Sequence, residues 1–128
     1  MTRKIFAFSF VLLLAGLVIA QGDKTVKITG YLLDNACGTG GKETDEQKGE
    51  RAKSHSTSCA LMPNCAASGY GVYSDGKFYK FDDAGNKSAK GLLEDTQTKK
   101  GVRVEVEGTL KENTIAVTKL TEVMDSSQ

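Results

Sequence analysis

With 128 residues and 17 Lys+Arg against 16 Asp+Glu, the chain has room for one small core and carries almost no net charge. Near-neutrality gives no general attraction to nucleic acid or to an anionic membrane surface, so neither is an expected partner. Fourteen glycines, one proline and no tryptophan suit strands joined by tight turns.

The N-terminus reads as an export signal. Arg3 and Lys4 precede an almost wholly apolar run over residues 5–19, and Val18 and Ala20 occupy the small-residue positions of a cleavage site before Gln21. The run is shorter than the roughly 20 residues that a helix needs to cross a bilayer. The first cysteine is Cys37, so no residue for a lipid anchor stands at the new terminus. The expectation is a signal peptide over 1–20, a single domain over 21–128, and a secreted or periplasmic location with no membrane anchor after cleavage.

Residues 25–33 alternate Val26, Ile28 and Leu32 with Lys27 and Thr29, which predicts a strand with Gly30 as a candidate bulge. Residues 38–54 are mostly charged or small and read as a long solvated loop with helical turns near 45–53. Gly40-Gly41-Lys42 is not a phosphate loop, because Ala36 and Glu43 stand where a glycine and a Ser or Thr belong. A short helix is expected near 56–61, broken by Pro63.

Asp75-Gly76 between two β-prone runs predicts a hairpin. Residues 82–86 are turn-like, and 88–97 predict a short helix. The cleanest alternation is Val102, Val104 and Val106 against Arg103, Glu105 and Glu107. After a turn at Lys111-Glu112-Asn113, residues 114–123 predict the last strand, with Ile115, Val117, Leu120 and Val123 inward. The order predicts a mainly β fold: a five-stranded OB-like barrel with one short helix between strands 3 and 4. The alternative is a small open β-sandwich.

Gly30-Tyr31-Leu32-Leu33-Asp34-Asn35-Ala36-Cys37 is followed by His55, Cys59 and Cys65, a Gly-containing hairpin, and a closing strand through Val104, Val106, Gly108, Thr109 and Leu110. This pattern resembles a group of small secreted bacterial proteins of unknown function. They pair a Gly-apolar-apolar-Asp-x-x-Cys opening with a His-Cys-Cys cluster on an OB-like barrel. The resemblance covers nearly the whole mature chain and implies a fold and a site, but no activity. Three residues separate His55 from Cys59 and five separate Cys59 from Cys65, wider than the group's tighter pattern.

Three cysteines and the single histidine are the chemistry-bearing residues. An odd cysteine count in an exported chain points to a metal ligand, a reactive thiol or a partner chain. Cys37, His55, Cys59 and Cys65 make a complete Cys3His set for zinc, and thiolates with imidazole also suit copper, with Met62 as an extra soft donor. Two other readings stay open. One is a disulfide from Cys37 to Cys59 or to Cys65, in a domain that binds a small ligand or a partner protein. The other is a thiol redox or catalytic pair of Cys59 and His55 with Asp34 orienting it, although no nucleophile motif accompanies them. Tyr70, Tyr73, Phe78, Tyr79 and Phe81, interleaved with Lys77 and Lys80, offer either hairpin packing or a face for a small ligand or glycan. Asp82, Asp83 and Asn86 lack the spacing of a calcium loop.

Overall fold

The computed structural model describes residues 23–124, and the expected signal peptide lies outside them. The elements run β1 (Lys24–Asp34), α1 (Asn35–Thr39), α2 (Asp45–Ser54), α3 (Thr57–Ala60), α4 (Pro63–Ser68), β2 (Tyr70–Ser74), β3 (Lys77–Phe81), α5 (Asp83–Asp95), β4 (Arg103–Lys111) and β5 (Thr114–Glu122). The fold is mainly β, as the alternation implies, with a five-stranded mixed sheet. Its pairings run β1–β2–β3–β5–β4 and return to β1, closing a barrel. All are antiparallel except the short β3–β5 contact, where Lys80 faces Thr114 and Phe81 faces Ile115.

The long first strand makes closure possible. Residues Lys24 to Tyr31 pair with β4, and Tyr31 to Asp34 pair with β2. The strand changes partner at Tyr31, and Gly30 just before it serves a close approach to Tyr73 of β2 and not the bulge expected there. The register shift lies instead between Glu107 and Gly108 of β4, where Glu107 faces Lys119, Gly108 faces Val117 and Thr118 is left over. That extra residue explains why the inward positions of β5 change parity between Val117 and Leu120. Asp75 (φ 50) and Gly76 (φ 79) form the expected two-residue turn, with both central residues in the left-handed region.

Inside the barrel Leu32, Val72, Phe81, Val102, Val104, Val106 and Ile115 form the core, capped by Ala89 and Leu93 of α5. A second cluster lies on the outer face of β1 and β2: Leu33 and Tyr73 pack with Ala52 of α2, flanked by Tyr31 and Phe78. Leu32 and Leu33, adjacent in a strand, thus serve opposite faces.

Four short helices lie between β1 and β2: α2 and α3 fall where helical turns were expected near 45–53 and 56–61, and α1 and α4 were not foreseen. The first three begin at a side-chain cap. Asp34 accepts from the Cys37 N–H, Thr44 and Gln47 form a reciprocal capping box, and Ser56 accepts from the Cys59 N–H. Pro63 starts α4 at its first turn, where its missing N–H costs nothing, so it does more than break the preceding helix. The turn expected at 82–86 is also helical. Asp82 caps Gly85 N–H at 3.0 Å, and α5 begins five residues earlier than the apolar spacing implies.

Candidate metal centre

Asp34, the last residue of β1, is fully buried, a costly place for a carboxylate without partners. Its Oδ1 accepts the Cys37 N–H at 3.1 Å and starts α1. Its Oδ2 faces His55 Nε2 at 2.9 Å, and the imidazole is itself only 7% exposed. Neither of these two atoms has a hydrogen bond of good geometry. The Cys37 thiol completes the group: one donor atom from each of Asp34, Cys37 and His55 lies within 4.8 Å of the others.

His55 is set in place from two directions. It ends α2, donating its N–H to the Ala52 carbonyl at 3.4 Å. Its own carbonyl accepts the Gly101 N–H at 3.0 Å, and the next residues follow the same segment: Thr57 N–H donates to the Lys99 carbonyl at 2.9 Å. The Thr57 hydroxyl adds a bond to the Thr98 carbonyl at 2.7 Å. The imidazole therefore belongs to a braced backbone, and its aim at Asp34 is not a matter of side-chain chance.

The three cysteines are free thiols, each partly buried, and no disulfide joins them. Burial pushes the Cys37 thiol up to about 11, helped by the negative charge and hydrogen bonding of Asp34 and, less, by Cys59 and Cys65. The Cys65 thiol is raised for the same reasons: burial first, then the Asp34 charge, then Cys59 and hydrogen bonding to both. Tyr70 is raised by burial and by Asp34, and donates its hydroxyl to the Ala60 carbonyl at 2.9 Å. The electrostatic pattern is uniform. Burial first, and the Asp34 carboxylate second, hold the Cys37 and Cys65 thiols protonated, and a cation placed among them would reverse that preference.

Of the four residues expected from sequence, Cys37 and His55 meet in the tight group. Cys59 and Cys65 lie outside it, close enough to act on Cys37. Asp34, read from sequence as an orienting residue, is instead at the centre. Its signal was its place in Asp34-x-x-Cys37, which is both a helix cap and a ligand spacing. Met62 is 55% exposed.

The donor set fits a transition metal. Zinc bonds of about 2.0–2.3 Å put tetrahedral donor atoms roughly 3.3–3.8 Å apart, so atoms already within 4.8 Å need only small adjustments. The aromatic face reads differently from the alternative raised by sequence. Tyr70 and Phe81 belong to the core, and Tyr73 and Phe78 lie with α2. Tyr79 is half-buried, with Lys77 Nζ 5.7 Å from its ring. No helix among the described residues is long and apolar enough to cross a membrane.

No known protein family, curated protein or solved structure matches this chain.

Proposed function

We propose that this chain is an exported metal-binding protein on an OB-like barrel, holding one zinc or copper ion at the end of β1. The ligands are Asp34 Oδ2, Cys37 Sγ and His55 Nε2, with Cys65 as the fourth donor and Cys59 beside it. The observation that carries this reading is the facing pair of buried atoms, Asp34 Oδ2 and His55 Nε2, 2.9 Å apart and each without a good hydrogen bond. Buried polar atoms are nearly always well paired, and a carboxylate oxygen and an imidazole nitrogen within ion-pair distance but off hydrogen-bond geometry, with a thiol beside them, form a donor set that an ion satisfies. An oxygen, a nitrogen and one or two sulfurs favour zinc over copper(I), which prefers sulfur alone. Binding displaces the thiol protons and neutralises Asp34. The role is binding and not catalysis. The partners are the ion itself and a protein that delivers or receives it in a secreted or periplasmic setting.

The deciding measurement is elemental mass spectrometry on the mature protein, purified without chelator, with thiols counted after denaturation. One zinc or copper per chain with three titratable thiols supports the reading. Metal-free protein with a single thiol overturns it in favour of a disulfide-stapled domain.

A further inference from the structure

We infer that the bound ion latches residues 38–54 as a strap across the outer face of the barrel, so that metal loading and closure of α2 are one equilibrium. The inference rests on the metal-binding reading above and extends it to a conformational consequence.

Cys37 and His55 stand at the two ends of this segment, and both meet at Asp34. Between them α2 has little stability of its own. It is ten residues long, with Gly49 in its middle and Ala52 as its one buried residue. Helices shorter than about 12–15 residues are marginal in isolation, and a central glycine weakens them further. Its hold on the barrel is narrow. The Tyr73 hydroxyl donates to the Asp45 carbonyl at 3.1 Å, and Ala52 packs with Leu33 and Tyr73.

Its C-terminal end is held by the segment before β4, where the His55 carbonyl accepts the Gly101 N–H and Gly101 packs on the Lys53 backbone; its other ties lead back towards the site. Arg51 Nη2 donates to the Gly40 carbonyl at 3.1 Å, joining α2 to the chain just after α1. Arg51 Nη1 also pairs with Glu43 Oε2 at 3.2 Å. The His55 N–H closes the last turn on the Ala52 carbonyl. A ring of links therefore runs from Cys37 through α1, Gly40, Arg51 and α2 to His55. The ion closes it by bridging Cys37 and His55 to the fixed end of β1. Peeling α2 away opens that ring and uncovers Leu33 and Tyr73, now 2% and 8% exposed. A ligand that binds only the closed form suppresses opening in proportion to its saturation.

The test is hydrogen exchange by mass spectrometry on the full mature chain, metal-free and titrated with zinc ion alone, comparing peptides from 45–54 with those from β4. In metal-free protein α2 should exchange well before β4. Zinc should slow it in step with free zinc, by roughly 100-fold at a hundred times the dissociation constant. His55→Ala should abolish that slowing, and Cys37→Ser serves the same purpose if the first variant does not fold. Zinc bound at one per chain with unchanged exchange of 45–54 overturns the latch and leaves the metal reading standing. No zinc binding overturns both.

Discussion

A Cβ built on Gly30 would lie 2.2 Å from the Tyr73 carbonyl oxygen, so β1 and β2 cross more closely than any side chain allows. The contact sits where β1 leaves β4 for β2, and backbone rather than a movable side chain is in the way. Gly30→Ala should therefore cost about 3 kcal/mol, at the upper end of overpacking penalties. The contrast is Gly91 in α5, where an added Cβ meets nothing within 4 Å. Gly91→Ala should stabilise by roughly 0.5–1 kcal/mol, the helix preference for alanine. Urea midpoints at constant slope measure both.

The thiol at Cys37 should be slow to react in metal-free protein. Raised from its ordinary 9.0 to about 11, it stays protonated at neutral pH. Its alkylation by iodoacetamide should lag well behind that of a free thiol at pH 8 and climb towards pH 11. Asp34→Asn should speed it at pH 8, because it removes a charge that opposes the thiolate. If the same variant reacts no faster, burial alone accounts for the shift. The sign for stability follows. A group whose value is raised on folding contributes fully below pH 9.0, and that contribution is lost as pH rises to about 11. Urea midpoints of metal-free protein at pH 8 and pH 10 should fall accordingly, and Cys37→Ser should flatten the fall.

Zinc binding should release protons, because Cys37 and Cys65 are both held in their thiol forms. Calorimetric titration at pH 7.5 in buffers of different ionisation enthalpy should give about two protons per ion. One proton would remove Cys65 from the ligand set. None would mean that the ion sits elsewhere.

Tyr70 has a purely architectural part to play. It is 1% exposed, and its hydroxyl reaches the Ala60 carbonyl at 2.9 Å, tying α3 to the barrel interior. Tyr70→Phe should cost about 1–2 kcal/mol, since it leaves a carbonyl unpaired. It should leave metal stoichiometry at the level of the parent protein, which elemental analysis checks.

The strands were the legible part of the sequence because their signals are local. Val102, Val104 and Val106 alternate, and Asp75-Gly76 can adopt the turn it needs, whereas the extra residue at Thr118 was not foreseen and the bulge was expected at Gly30 instead. Of the helices between β1 and β2, those at 45–54 and 57–60 fall where helical turns were expected, while 35–39 and 63–68 were missed because they are too short to show a period. Only the Asp34 cap and Pro63 betray them. Asp82 misled for a related reason: aspartate starts turns and helices alike, and what separates them here is packing of Gly85 and Ala89 on the barrel.

The site was legible in part. Cys37 and His55 were found by residue type. Asp34 was undervalued because no pattern reveals that a strand's final carboxylate turns inward and keeps one oxygen unspent after capping α1. Cys59 and Cys65 entered the expected set as the remaining thiols; they lie outside the tight group yet near enough to act on Cys37.

The bracing of His55 by Gly101, and of Thr57 two residues on by Lys99, sets an order of events during folding. A growing chain has Asp34 and Cys37 early, yet it lacks the Gly101 bond to the His55 carbonyl until the stretch before β4 has arrived and docked. The group of Asp34, Cys37 and His55 is then completed at the end of folding. A chain truncated ahead of Lys99 would carry the thiols without the bracing that brings the imidazole to them, and the cluster would be finished or absent with nothing between.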